Sequence, residues 1–186
     1  DVSDAHGEKT ARRIREDLKI EVSGVRVVSV FAVDAELNPD ELSTIAENLL
    51  VDPIIQHYTV DSPFAAAEEF DFAVEVAFLP GVTDNVGRTA REGVSLIFPG
   101  RLSADQKVYA SLQYRIRGPI DRAGAERIAT GLLGNPLIQR FTVLDRKGLT
   151  AAGGVTPHIP KVTGSHDPTV ETIDLSVTDD ELVRIS

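Results

Sequence analysis

The sequence predicts an α+β fold built from two related units, each with the element order β-α-β-β-α-β, a ferredoxin-like order. An internal repeat is the first observation, because Leu49–Val60 recurs without gaps as Leu132–Val143. Helical spacing of apolar residues before each repeat is the second. Segments rich in β-formers on both sides of each helix are the third.

A helix with one apolar stripe is predicted before each copy of the repeat. Asn38 is the expected N-cap of the first helix, with Pro39 at its first position, and Asp121 is the expected cap of the second. Both helices should end at an Asp-Pro or Asn-Pro pair, because the residue before proline disfavours helical geometry. The stripes consist of Leu42, Ile45, Ala46, Leu49 and Leu50, and of Ala125, Ile128, Ala129, Leu132 and Leu133.

Strands are predicted before and after these two helices. They cover residues 25–33 and 54–60 in the first unit, and 109–116 and 137–143 in the second. The second unit opens with an alternating strand, Phe72–Leu79, followed by a helix that starts near Asp84. The apolar face of that helix consists of Val86, Ala90, Val94 and Ile97.

The first unit begins differently, because Gly7–Arg12 resembles Gly87–Arg91 and predicts a helix over residues 4–18. The opening strand of this unit is then expected before residue 1. The sequence contains no Met, which agrees with our interpretation of the chain as a fragment. The first unit, residues 1–62, is therefore predicted to be truncated at its N-terminus.

The second unit covers residues 70–145, and an extended linker is predicted over residues 146–186. From Arg146 onward Gly, Pro and Thr are frequent, and we find no periodicity that could bury a core. Thr178 and Glu181 resemble a capping box, which predicts the start of a helix within the linker.

Composition excludes several classes of function. The formal net charge of −10 argues against binding to nucleic acid, and the absence of cysteine excludes disulfides, thiolate metal sites and a cysteine nucleophile. No apolar run approaches the roughly 20 residues that span a bilayer. We expect a soluble, cytoplasmic protein without a membrane partner.

Candidate site residues are few. His6, His57, His158 and His166 lack metal-ligand spacing, and His57 aligns with Arg140 in the repeat, which predicts a solvent-facing position. Phosphate-loop, nucleophile-elbow and dinucleotide motifs are absent from the sequence. We therefore predict no catalytic, cofactor-binding or metal-binding residue in this chain.

The turn within Pro80–Ala90 is the most suggestive segment, because a strand-to-helix turn presents backbone N–H groups that could hold an anion. The favoured interpretation is that Thr83 or Asp84 caps its own helix and uses those donors. The pairs Ile55-Gln56 and Ile138-Gln139 are interpreted as alternating core and surface positions of strands.

Pro80–Ala90 and Leu132–Gln139 together resemble the two signatures of the PurS family, a component of phosphoribosylformylglycinamidine synthase (FGAM synthase). The resemblance covers the second unit fully and the first without its opening strand. It implies two PurS-like units that act as a non-catalytic scaffold in de novo purine biosynthesis. Such a scaffold would bridge the glutaminase and ATP-dependent synthase components, support ammonia transfer, and possess no cofactor of its own.

The parent protein would then resemble an ATP- and glutamine-dependent carbon-nitrogen ligase, and homo-oligomers are possible. The alternative is an ACT-like regulatory module that binds an amino acid or another small ligand. ACT domains share the β-α-β-β-α-β order, and Pro80-Gly81-Val82 fits their first turn. A free-standing enzyme is the least favoured class, because the sequence contains no convergent catalytic motif.

Overall fold

A four-stranded antiparallel sheet forms the centre of the structure, which is a computed structural model that describes residues 4–62, 70–155, 159–160 and 176–185. Its strands lie in the order β1-β3-β2-β4. Every neighbouring pair is antiparallel. The α+β class is therefore confirmed. The strands are β1 (Gly24–Val33), β2 (Phe72–Phe78), β3 (Val108–Arg117) and β4 (Gln139–Asp145).

Six α-helices accompany the sheet in the described part of the chain, and two of them continue into a wider π-helical turn. The helix α2 passes into π1, and α4 passes into π2, each at an Ile-Ala step. The helices are α1 (Ala5–Leu18), α2 (Pro39–Ile45), π1 (Ala46–Leu50), α3 (Asn85–Ile97), α4 (Arg122–Ile128), π2 (Ala129–Leu133), α5 (Arg146–Ala151) and α6 (Asp179–Ile185).

The predicted helix starts are confirmed by their caps. Asn38 and Glu41 form a complete capping box at α2, with Pro39 in the first turn. The side chain of Asp121 accepts a hydrogen bond from Gly124 N at the start of α4. At α6 the Glu181 carboxylate accepts from Thr178 N at 3.2 Å, which supports the predicted start of that helix.

The order α-β-α-π occurs twice, as α1-β1-α2-π1 and as α3-β3-α4-π2. The ferredoxin-like order is not confirmed. In the second unit β3 is the single strand between α3 and α4, where the predicted order requires two. That unit therefore has the order β-α-β-α-β.

The strand predicted over residues 54–60 is wrong, because residues 53–55 form a turn and the following residues are irregular. The corresponding strand of the second copy, β4, pairs with β2. Among the described residues β1 has β3 as its only strand neighbour, so the described part of the first copy contains no counterpart of β2. The strand predicted at 137–143 begins two residues later, because the turn after Asn135 includes Ile138.

The helices α1 to α4 pack on one face of the sheet. Fully buried Ile14, Ile116 and Ile128 join α1, β3 and α4 in the larger apolar cluster. Each such side chain stabilises the fold by about 1.5–3 kcal/mol relative to exposure. A smaller cluster joins Ile45 of α2 and Val94 of α3 to the same face.

The opposite face of the sheet contacts α5, a helix that the sequence did not predict. Leu149 of α5 is 5% exposed and packs with Phe70 and Ala73. The expected linker therefore begins with an ordered turn of helix at Arg146–Ala151. Burial of one leucine on a six-residue helix gives too weak a periodic signal for sequence analysis. Most of residues 156–175 lie outside the described residues.

Within the described ranges, no helix combines the length and apolar character needed to span a membrane.

Candidate functional site

Asp84 connects the N-terminus of α3 to the neighbouring strand. Its Oδ1 accepts a hydrogen bond from Gly87 N at 2.8 Å, and its Oδ2 accepts from Ala110 N of β3 at 2.6 Å. Both carboxylate oxygens are therefore engaged by backbone donors. The prediction that Thr83 or Asp84 caps this helix is confirmed for Asp84.

The same connection occurs in the first copy. Asp4 Oδ1 accepts from Gly7 N, and Asp4 Oδ2 accepts from Val27 N of β1, each at 2.7 Å. Gly7 lies against the carbonyl oxygen of Val25, where a Cβ atom would overlap with it. The most suggestive segment of the sequence thus has a structural use that repeats in both copies, because the aspartate holds a helix start against a strand.

A second hydrogen-bonded motif follows each π turn. In the first copy Asp52 Oδ1 accepts from Ile54 N at 3.0 Å, and Gln56 Oε1 accepts from Asp52 N at 2.9 Å. In the second copy Asn135 Oδ1 accepts from Leu137 N at 3.0 Å, and Gln139 Oε1 accepts from Asn135 N at 2.8 Å. These glutamines close turns.

The interpretation of Ile55-Gln56 and Ile138-Gln139 as alternating strand positions is therefore wrong for Ile55, Gln56 and Ile138. Gln139 is the first residue of β4, where it lies opposite Phe78. Asp or Asn before proline readily forms turns that a side-chain hydrogen bond closes. The apolar pattern of these segments is typical of a strand, so the turns were not predicted.

The two turns project apolar side chains into solvent. Ile54 is 87% exposed and Leu137 is 83% exposed, and they occupy equivalent positions of the repeat. Ile55 and Ile138 beside them are 50% and 40% exposed. The π turns that precede these tips are of a kind that frequently marks functional positions. We define the apolar tips as Ile54 and Leu137.

An apolar depression of about 410 Å³ opens between π1 and α3. Leu49 at its wall is 37% exposed, although it was predicted to belong to a buried stripe. Val86, which was predicted on the apolar face of α3, is 58% exposed. The depression is lined by Phe31, Leu49, Leu50, Asn85, Val86, Thr89 and Ala90.

A buried polar cluster lies on the sheet face opposite α1–α4, and sequence analysis missed it. Glu75, Gln113 and Arg115 are each at most 5% exposed. Ser111 Oγ donates to Glu75 Oε1 at 2.7 Å, and Arg115 Nε donates to Gln113 Oε1 at 2.9 Å. The available signal in the sequence was the alternation of apolar residues with small or charged ones around Glu75. The same alternation is typical of a strand whose second face is exposed to solvent.

Two charged side chains near this cluster keep buried atoms without hydrogen bonds. They are Oε2 of Glu75 and both Nε and Nη2 of Arg140. Arg140 Nη1 donates to Thr142 Oγ1 at 3.2 Å. Such atoms are costly to bury without partners. Hydrogen-bond partners for these three atoms would therefore stabilise the cluster.

Glu41 forms a bidentate ion pair with Arg101. The Arg101 guanidinium donates to both carboxylate oxygens at 2.9 and 3.0 Å. This hydrogen bonding, together with the backbone N–H of Asn38, lowers the pKa of Glu41 from its ordinary value. The pair links the cap of α2 in the first copy to the loop after α3 in the second.

The two described histidines, His6 and His57, are exposed, as was predicted for His57. His6 is exposed and meets the Tyr114 ring edge-on at 5.9 Å, and His57 is exposed after the first turn. His158 and His166 lie outside the described residues. No group of three or more His, Cys, Asp or Glu side chains that could hold a metal occurs in the described part of the chain.

The chain matches no protein-family profile and no curated protein sequence. The resemblance to the PurS family therefore depends on the sequence motifs, whose residues form the helix caps and turns described above.

Proposed function

We propose that this chain is a non-catalytic scaffold that resembles a fused pair of PurS subunits of phosphoribosylformylglycinamidine synthase. The observation that carries the proposal is the β1–β3 ladder, which joins the two copies antiparallel. Equivalent residues such as Val27 and Ala110 take the same hydrogen bond in both copies. Identical subunits form such self-complementary pairings about a two-fold axis. The chain would thus supply in cis the subunit pair that the resemblance implies.

The motif residues support a structural role rather than a chemical one. Asp84 and Asn135 use their side-chain oxygens to hold backbone N–H groups, and Gln139 closes the turn that starts β4. A side chain engaged in this way positions the chain and is poorly placed to transfer a proton. In the proposed function these residues therefore shape the contact surfaces.

The apolar tips are the surfaces that we assign to partner contact. Ile54 and Leu137 lie at equivalent places of the two copies, and each leaves more than four fifths of its surface exposed. Burying such side chains in an interface stabilises association by about 25 cal/mol per Å² of apolar area before the costs of binding. Two equivalent tips would allow contact with the glutaminase and the ATP-dependent synthase components.

Co-elution with the glutaminase component tests this assignment. Leu137→Asp and Ile54→Asp should each reduce the amount of co-eluting glutaminase about tenfold or more, because each places a charge in a desolvated contact. Leu96→Asp is the matched control, since Leu96 is also 83% exposed but lies on α3. Equal losses in all three variants, or none, would overturn the assignment of the tips.

Activity measurements separate scaffolding from catalysis. In the full natural protein, Leu137→Asp should reduce glutamine-dependent synthesis more than synthesis supplied with free ammonium, which bypasses the glutaminase. Misfolding would reduce both rates alike. The isolated chain should neither hydrolyse ATP nor release ammonia from glutamine. Equal reduction of both syntheses in a variant that melts normally would count against the scaffold.

A thermal-shift screen with amino acids and nucleotides addresses the ACT-like alternative. A ligand that binds the folded chain raises its melting temperature in a saturable way. The scaffold proposal expects no such rise. A saturable rise with one amino acid would favour the regulatory module instead.

A further inference from the structure

One edge of β1 is left unpaired within the described part of the chain. β3 occupies one side of β1, and no described strand occupies the other. Val27 N points toward this edge, where it donates to Asp4 Oδ2 at 2.7 Å. Alternate residues of an antiparallel strand direct their backbone groups to the same edge, so those of Ser29, Phe31 and Val33 face outward as well. Such a row of backbone groups is a template for another strand.

The second copy shows the equivalent edge occupied. β2 pairs with β3 from Phe72 opposite Ile116 to Ala77 opposite Ser111. Under this cover the residues Gln113–Ile116 are 0–5% exposed. Their equivalents in the first copy, Val30–Val33, are only partly buried. This difference in burial indicates that the unpaired edge of β1 is where a strand equivalent to β2 would lie.

The apolar depression adjoins the same edge. Its residues Phe31 and Leu50 correspond to Tyr114 and Leu133 of the second copy. Tyr114 and Leu133 belong to the larger apolar cluster, which also contains Val74 and Val76 of β2. In the second copy the place of the depression is thus filled by alternate side chains of β2. Edge and depression are two parts of one surface.

We propose that the free edge of β1 and the adjoining depression form a docking site for a single β-strand that leads into α1. The strand runs antiparallel to β1 and has apolar residues at alternate positions, as β2 has. Its register follows from that of β2 and β3. The residue of the docked strand that is equivalent to Phe72 would lie opposite Val33, and the residue equivalent to Ala77 would lie opposite Val28. Backbone hydrogen bonds would supply affinity, and the depression would select the side chains.

The short connection from β2 to α3 indicates why the docked strand should be the one that leads into α1. β2 ends at Phe78 and α3 begins at Asn85, with Asp84 as its cap. Asp4 has the same two hydrogen bonds at the start of α1. A strand that enters α1 through an equally short turn would therefore reach the free edge in the derived register. This inference does not depend on the proposed scaffold role.

Docking of the strand should also change the structure of residues 56–62, which follow the turn at Asp52. β4 exists beside β2, and residues 56–62 are the equivalents of β4 in the first copy. A strand beside β1 would offer residues 56–62 the partner that β2 offers to β4. These residues should then become a strand, as the alternation in the sequence indicates.

A fusion protein tests the proposal. A second copy of Phe70–Thr83, joined directly to Asp4 in place of residues 1–3, places the sequence of β2 before α1 with its native spacing. Amide exchange at Ser29, Phe31 and Val33 should slow by about tenfold or more, because these groups enter a ladder. NMR chemical shifts of residues 56–62 should become strand-like.

The control is the same fusion with Val74→Asp and Val76→Asp in the added copy only. It retains the length and the linkage but places charges against the depression, so exchange should remain fast. Unchanged exchange in the first fusion, or equal protection in both, would overturn the proposal. Concentration-dependent protection of the same amides in the unmodified chain would also overturn it, because a second copy would then be the occupant.

Discussion

Ser29 lies directly opposite Leu112 in the β1–β3 ladder, and the two residues occupy the same position in their copies of the repeat. They are 83 positions apart, as are the helix caps Asn38 and Asp121. On either side of this pair the register is reciprocal. Val25 lies opposite Ile116, and Val33, the equivalent of Ile116, lies opposite Val108, the equivalent of Val25. A local two-fold axis therefore passes through the centre of the ladder.

Close approach of helix and strand makes Gly87 sensitive to substitution. In Gly87→Ala the new methyl group would overlap with the carbonyl oxygen of Val108 and with the Asp84 carboxylate. We expect a loss of about 1–3 kcal/mol in the free energy of unfolding, measured by urea denaturation. Gly131→Ala is the control, because its Cβ would meet Leu18 at an ordinary 3.5 Å. A Gly87→Ala variant as stable as the control would contradict this packing.

The double connection of Asp84 predicts a larger effect than that of a simple cap. Asp84→Ala removes hydrogen bonds to Gly87 N and Ala110 N, whereas Asp121→Ala removes a cap bond to Gly124 N. A lost cap costs about 1 kcal/mol, and the strand bond adds about 1 kcal/mol for Asp84. Denaturation midpoints of the two variants measure the difference. Equal destabilisation would mean that the bond to the strand contributes nothing.

Aspartate substitutions of the equivalent residues Leu132 and Leu49 should destabilise the fold to different extents. Leu132 packs against the larger apolar cluster, whereas Leu49 lines the open depression and is 37% exposed. We expect Leu132→Asp to cost about 3 kcal/mol or more and Leu49→Asp about 1–2 kcal/mol, since water reaches the second site. Thermal unfolding followed by circular dichroism compares them. A more severe effect at Leu49 would show that the depression is closed in solution.

The Glu41–Arg101 pair predicts a dependence of stability on pH. The lowered pKa of Glu41 in the folded chain means that the unfolded chain binds the proton more readily. The stabilisation is present above the ordinary value of 4.5 and is lost as the pH falls through the lowered folded value. Between about pH 6 and pH 3, Arg101→Gln should therefore lose less stability than the unmodified chain.

The control for this measurement is Arg13→Gln, which removes the same charge from an exposed pair with Asp17. Melting temperatures across the pH series should follow those of the unmodified chain for this variant. Parallel curves for Arg101→Gln and the unmodified chain would show that Glu41 contributes nothing to the acid response.

Local chemistry explains which elements could be predicted. The helix over residues 4–18, the strand over 25–33 and the cap at Asn38 depend on periodicity and neighbouring side chains, and the structure has all three. Residues 54–60 have equally good strand character but form no strand. Strand formation needs a partner, and the availability of a partner is a property of the sheet rather than of the segment.

The candidate site was harder to predict for a related reason. Asp84 was expected to cap α3, but its bond to Ala110, 26 residues away, depends on the packing of a helix against a strand. The buried Glu75 was not expected, because alternation alone cannot distinguish a solvated face from a covered one. In the proposed function the turns contact partners, and local sequence patterns do not encode such contacts.

The ladder between β1 and β3 also affects how the protein folds. β1 has no strand of its own copy beside it in the described structure, so its pairing joins residues about 80 positions apart in the chain. Contacts of such long sequence separation form slowly, because a large loop must close first. The first copy therefore completes its fold only after the second has been synthesised, and thermal unfolding of the two should occur in one cooperative transition.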